Sequence, residues 1–580
     1  MFPATLWRWA SDNIHPTTAE PESLPSSSFV TGAHVHTSGF INDEPLPQFI
    51  AMAPVQLEPE TRYGPVAAVA GHLVVAVYLM VQASRSLHKA YRGLGPSQDT
   101  RGRVAWRNKL LPVFAGLASI SLLRQVYGLS AYAVLSYKVW ASGRGVELPT
   151  QFYGNNGIFP PGENATPVYL VQWLSDTPIH LDAVEIIAEK ARRFWWGQQV
   201  DSGLVSWSML LAIEGRRRNI PLLWSYQLLG QLVSLSFAQN LFFVAILLTP
   251  SPLPANGNGS LRASRYARMR NKLFAPNPTN WTPHAWVFPM ILAFNFVAML
   301  SMPSQANTEH FKYLVLASRS LSLAPLAVHY ILPKSWGSIH DDPHSAYSSY
   351  KQLFRALFVG SFVLHVRASL VGLAYNAPDA YYHRHSVHLP FDLEQRSAWE
   401  RTTSAFGRIL GATSDHPVVG MAGWDVIISG VSIGLWVATR ATDVSDILAS
   451  TIPAYPGHEH ASAETKAEAA PNAVTRGAAK ALTAVGIGAG VGTGESEAEA
   501  EAEGQGSGPR RRGRSRKIKE DPANNAYEPA ASEVAATEEG DELPSDDLDW
   551  ESAAVVWGLT TLGGLGVGSA GAFGAEFIAR

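Results

Sequence analysis

Apolar residues in this chain gather into long runs divided by short polar stretches, a pattern that predicts helices crossing a membrane. A crossing needs about 20 predominantly apolar residues, because only a helix satisfies its own backbone across about 30 Å of hydrocarbon. Such runs lie at Pro65–Ala83, Leu110–Trp140, Phe194–Ile213, Pro221–Leu248, Ala285–Met302, Phe311–Leu332, Leu353–Leu373 and Met421–Thr439. The second and fourth are long enough to tilt or to extend beyond the bilayer. Trp106, Trp140, Trp195, Trp196, Trp224, Trp281, Trp286 and Trp424 crowd the ends of these runs, as expected of rings held at headgroup level. Ser552–Phe573 is also apolar but heavy in glycine, a candidate for a last span. The predicted fold is an all-α polytopic bundle of about seven to nine spans.

Lys and Arg in short loops set orientation. Arg85, Lys89, Arg92, Arg101, Arg103, Arg107 and Lys109 follow the first run, and Arg216, Arg217 and Arg218 follow the third. Both loops are expected in the cytosol, with the N-terminus in the lumen. Asn164, Asn258 and Asn280 each begin a glycosylation sequon, which belongs on the lumenal side. The last two conflict with Arg262, Arg265, Arg268, Arg270 and Lys272, which share their loop and pull it towards the cytosol. The two signals oppose each other, and the side of the later loops is left open.

Composition divides the chain further. Residues 1–60 are polar and read as mostly disordered, 61–450 hold the bundle, 451–549 form a low-complexity charged tail, and 550–580 hold the glycine-rich apolar segment. The mean hydropathy of +0.01 averages these unlike parts. The net charge of −3 is a similar cancellation, so it points to no nucleic-acid partner. The Arg510–Lys519 cluster reads as solvated charge, and the charge blocks of the tail are typical of segments that bind protein partners. The chain has no cysteine, which excludes disulfides, thiolate metal sites and cysteine nucleophiles. The glycine run Gly486–Gly492 lacks the spacing and preceding strand of a dinucleotide site. His383, His385, His388 and Asp392 lie in a polar loop with no helix to present them together. No cofactor and no metal are expected.

Ionisable and amide groups at membrane depth carry the functional expectation. Arg124 and Gln125 fall within the second run, marking a helix break, a packing pair or a functional site. Asp201 lies about 12 Å along the third run from Arg193 and shares a helix face with Gln198. Pairing of Arg124 with Asp201 would give the bundle a polar floor. Gln227, Gln231, Ser234 and Gln239 read as one stripe on the fourth run, serving either helix association or a substrate cavity. Glu214 precedes the arginine triplet and is placed to pair with it.

The segment FWWGQQVDSGLVSWSMLLAIEGRRRNIPLLWSYQLLGQLVSLSFAQNLFFVAILLTP, with LVQWLSDTPIHLDAVEIIAEKARR before it, resembles a family of fungal multi-pass membrane proteins. That family includes the terpene cyclases of ascochlorin- and ascofuranone-type pathways. The resemblance covers about Tyr169–Pro250. It implies a lipophilic isoprenoid substrate, an aryl-linked farnesyl chain with a terminal epoxide, opened by an acid and closed into a ring. A water-poor bundle suits that chemistry, since it protects a cation from quenching. The resemblance implies Asp201 or Glu214 as the acid, with Asp176, Asp182 and Glu185 in reserve. Trp195, Trp196 and Trp207 would face the cation, and Arg124, Gln198, Gln227 and Gln231 would line the site. An endoplasmic reticulum location fits the sequons and the substrate.

Two rivals stand beside the cyclase. A secondary-metabolite transporter would show broken helices at matching positions, and no internal repeat is evident. A non-catalytic scaffold would depend on the tail, so deletion after Thr451 is expected to separate it from an enzyme.

Overall fold

The computed structural model describes residues 61–94, 101–146, 148, 168–249, 277–278, 280–340, 346–383, 393–440, 443–453, 455 and 548–577. The 1–60 segment and most of the 451–549 tail lie outside them. Among the described residues six helices are long and apolar enough to cross a membrane, which makes this an integral membrane protein. They are α1 (Tyr63–Arg92), most of α2 (Arg101–Arg144), α8 (Val287–Gln305), α9 (Phe311–Ile331), α10 (Tyr347–Asn376) and α12 (Pro417–Ala438). The short helices α3 (Leu170–Asp176) and α4 (Ile179–Ala188) lead into α5 (Ala191–Leu210), which continues through a π-helical turn at Leu211–Gly215. Arg124 marks no break, because α2 is continuous through it.

Tertiary bonds sort the helix ends onto two faces. On one, Arg144 at the end of α2 pairs with Asp176 at 2.8 Å, and the Arg62 N–H before α1 donates to Ser175. The start of α5 reaches the same face, where Arg192 pairs with Asp415 at 2.6 Å. So does the end of α8, where the Asn307 N–H donates to Glu185 on α4. The helix α11 (Ala398–Leu410) lies here too, begun by a Ser397–Glu400 capping box. Arg408 on α11 ties it to the carbonyl of Asn376 at the end of α10.

Arg216, Arg217 and Arg218 mark the opposite face. Arg216 donates to the carbonyls of Asn277 and Pro278, just ahead of α8. An antiparallel ribbon of β1 (Trp281–Pro283) and β2 (Gly337–Ile339) closes this face. A second ribbon, β3 (Tyr381–His383) with β4 (Leu393–Gln395), joins α10 to α11.

The Pro221–Leu248 run is not one helix. It breaks at Val233–Ser234 into α6 (Leu223–Leu232) and α7 (Leu235–Leu247). The rings of Tyr226 and Phe242 lie 5.6 Å apart, and a methyl on Gly230 would touch Ala238, so α7 folds back along α6. A methyl on Gly215 would meet both Leu223 and Phe242, which puts both open ends beside the arginine triplet. The C-terminal apolar segment repeats the plan. Here α14 (Trp550–Gly563) turns at Gly564 into α15 (Leu565–Ala575). The Asp549 N–H donates to the Ala438 carbonyl, and Glu576 pairs with Arg440 at 2.8 Å, so both ends again meet the Arg216 face. Every residue of α15 is buried, and its glycines let backbones approach closely at the bundle centre. A short helix, α13 (Val444–Thr451), packs beside it, with Ser450 donating to the Gly571 carbonyl. Ser552–Phe573 is thus a helical hairpin and not one long helix.

Candidate functional site

Polar side chains collect in three places. The first lies at mid-depth between α5, α6 and α9. Asp201 sits about 15 Å into α5 and Arg319 about 12 Å into α9, counted from helix starts on one face. The two pair at 3.3 Å, with side chains 12% and 33% exposed. Gln231 donates to Ser322 Oγ at 2.6 Å and to the Arg319 carbonyl, and Gln227 donates to the Ser322 carbonyl at 3.0 Å. Asp201, Gln227 and Gln231 therefore come together, around an arginine that sequence reasoning passed over. Gln198 is buried one turn before Asp201.

The expected Arg124–Asp201 pair does not form. The Arg124 guanidinium lies 4.3 Å over the Trp424 ring and 5.7 Å from that of Tyr127. It lies on the flank where α2 meets α12, while Asp201 turns towards α9. The amide stripe is also divided, because the helix break separates its members. Ser234 caps α7 by accepting from the Phe237 N–H, and Gln239 lies on the returning helix.

The second place is where the hairpin tips meet. A methyl on Gly203 of α5 would strike Leu235 at 2.9 Å and Leu565 at 2.7 Å. Asp425 on α12 accepts from the N–H groups of Leu235 and Ser236 at 3.0 and 2.7 Å. These are N–H groups that the start of α7 would otherwise leave unpaired. The ring of His72 on α1 lies beside the Leu232 carbonyl at the end of α6. At the other tip Gln199 accepts from the Leu565 N–H, and Ser569 bonds Ser206 at 2.7 Å. Trp195 donates to Ser369, packs edge-on against Trp196 at 4.9 Å, and lies 5.3 Å from His365. Trp196 donates to the Ile409 carbonyl. Trp207 is fully buried with its ring edge on Phe242 at 5.1 Å, and its N–H has no partner among the described residues.

The third place lies between α1, α2 and α4, next to the α6–α7 tip. His72 and His180 stack at 4.6 Å, and Tyr132 donates to the Ile179 carbonyl. Asp182 sits beside them. Burial pushes its carboxyl up from the usual range, and the neighbouring Glu185 adds to that shift.

The five carboxyl groups expected to serve as acids separate on this geometry. Glu214 is gripped bidentately by Arg217 at 2.7 Å and also held by Arg218, which favours its charged form. Asp176 accepts from Trp140 and Arg144, Glu185 accepts from Asn307, and Asp201 is committed to Arg319. Asp182 forms no ion pair among the described residues.

Asn280 is exposed on the Arg216 face, and its carbonyl accepts from the His340 N–H. Asn164 and Asn258 lie outside the described residues, as do His385, His388 and Asp392. Among the described residues no group of three His, Asp or Glu side chains is placed to hold a metal ion. Arg319, Asp425 and His72 are the residues that sequence reasoning missed. Each is an ionisable group inside an apolar run, Asp425 and His72 each being the only one in its run, and that is the signal that would have found them. The chain matches no family model, no curated protein and no solved structure.

Proposed function

We propose that this protein is a membrane-embedded terpene cyclase that converts an epoxidised prenyl-arene into a ring of equal mass, with Asp182 as the acid. The observation that carries this choice is that Asp182, half-buried and raised, is the one carboxyl of the five without an ion-pair or hydrogen-bond partner among the described residues. A group kept towards its neutral form can donate a proton. Asp182 O–H protonates the epoxide oxygen, the C–O bond breaks, and the tertiary carbon becomes cationic. An alkene or hydroxyl of the same chain closes the ring, and the proton it releases restores the acid. Arg319, Gln231 and the Asp201 carboxylate hold the oxygenated aryl head at mid-depth. The resemblance of Tyr169–Pro250 supports this reading, since α3 to α7 supply most of the polar groups. No cofactor is called for.

The membrane reading takes α1, α2, α5, α8, α9, α10 and α12 as seven crossings, in the endoplasmic reticulum. A second reading, transport of the same class of amphiphile, draws on the two hairpins that stop inside the bundle, since discontinuous helices often build transporter sites.

The test is turnover by microsomes of a yeast host given an epoxidised farnesyl-arene and analysed by mass spectrometry. The cyclase yields an isomer, reduced about 100-fold or more in Asp182→Asn. Turnover falls as pH rises through the raised Asp182 range, because the acid form is the donor. Unchanged turnover in Asp182→Asn removes that acid. Unchanged substrate that accumulates inside sealed vesicles favours transport.

A further inference from the structure

We infer that the Arg216 face is cytosolic, that both hairpins enter from it, and that the Asn280 sequon is therefore never glycosylated. The inference rests on the seven crossings above and is independent of the cyclase chemistry. Because α7 returns beside α6, the chain leaves the bundle at Thr249 on the face from which it entered at Leu223. It re-enters at Asn277, which Arg216 holds from that face. The segment joining them, with Arg262, Arg265, Arg268, Arg270 and Lys272, so begins and ends on the face of the Arg216–Arg218 triplet. Lys89 and Arg92 at the end of α1, and Lys109 near the start of α2, belong to it as well. Basic residues in short loops mark the cytosolic side.

With one continuous span at Pro221–Leu248, those arginines would lie opposite the triplet, against the positive-inside rule. The hairpin removes the conflict, and the sequons give way. Glycosyl transfer occurs in the lumen, whereas Asn280 is exposed on the cytosolic face. The charged tail begins and ends on the same side. Before it, Arg355 donates to the Ala449 carbonyl, and after it the Asp549 N–H donates to the Ala438 carbonyl. Proteins that bind the tail are accordingly cytosolic.

The absence of cysteine allows a direct test on the full chain. Lys89→Cys at the end of α1, Thr249→Cys, Ser335→Cys and Ser404→Cys are each exposed to a membrane-impermeant PEG-maleimide in sealed, cytosolic-side-out microsomes. Lys89→Cys, Thr249→Cys and Ser335→Cys should shift nearly completely in intact vesicles, and Ser404→Cys on α11 only after detergent. Asn280→Gln should leave gel mobility unchanged with or without glycosidase. Labelling of Ser404→Cys in intact vesicles, with the other three protected, would invert the orientation. Protection of Thr249→Cys and Ser335→Cys while Lys89→Cys and Ser404→Cys are labelled would make Pro221–Leu248 a span. A glycosidase-sensitive band lost in Asn280→Gln would overturn the assignment directly.

Discussion

The two helical hairpins reach the same point by opposite means. Their tips meet at Gly203, and both open onto the arginine face. The α6–α7 tip has no glycine, and Val233 and Ser234 keep φ values of −112° and −161° that any residue adopts. Side chains from distant helices finish it, with His72 at the outgoing carbonyl and Asp425 at the returning N–H groups. The α14–α15 tip turns on Gly564, whose φ of +83° and ψ of 171° lie in a region almost restricted to glycine. One break is imposed by tertiary contacts, and the other is written into the local chain.

That contrast predicts different sensitivities, each readable as thermal stability in detergent. The largest effect should come from Asp425→Ala. It leaves two N–H groups of α7 without acceptors in a dry interior, at a cost of about 2–6 kcal/mol. Asp425→Asn keeps one amide oxygen and should fall between. Wild-type stability in Asp425→Ala would mean that the break does not depend on its cap. Next comes Gly564→Ala. The backbone conformation alone costs about 1–3 kcal/mol, and the new methyl would sit 2.6 Å from His365 Nδ1. Adding His365→Ala should relieve the clash and leave the backbone penalty. Val233→Ala at the other tip should change stability by under about 1 kcal/mol, since no special φ is needed there. The smallest effect belongs to the Ser206–Ser569 bond, which ties the second hairpin to α5. A double-mutant cycle should give about 0.6 kcal/mol. A value several times larger would place more of the hairpin's hold in that bond than in packing.

The same contrast explains what could be read from the sequence. Six apolar runs became long helices near their expected places, because length and hydropathy act locally. The glycine-rich segment was legible as apolar and glycine-heavy, but which of its several glycines would turn the chain was not. The α6–α7 break had little local sign beyond the Ser234 cap, since Leu223–Leu247 holds no proline and no glycine at the turn, and its breaking partners lie on α1 and α12. The site shared that limit. Asp201, Gln227 and Gln231 were legible as polar groups at depth, but their partner Arg319 was set by how α5 meets α9. Arg124 went to Trp424 for the same reason. Deletion after Thr451 also changes meaning. It removes α14 and α15 from the centre of the bundle, so loss of function would report a broken core. Removing only residues 456–547 tests the tail.

The first hairpin can be tested with a single bond. Built on the backbone, a Cβ at Gly230 lies 3.7 Å from the Ala238 Cβ, within the about 3.5–4.5 Å range of a disulfide. In a continuous helix, eight residues would separate them by about 12 Å. The Gly230→Cys/Ala238→Cys double variant, in a chain with no other cysteine, should form an intramolecular disulfide under mild oxidation, seen by mass spectrometry of the linked peptides. Two free thiols persisting in folded, membrane-inserted protein would contradict the hairpin, and with it the seven-crossing topology and the cytosolic placement of the Arg262–Lys272 segment.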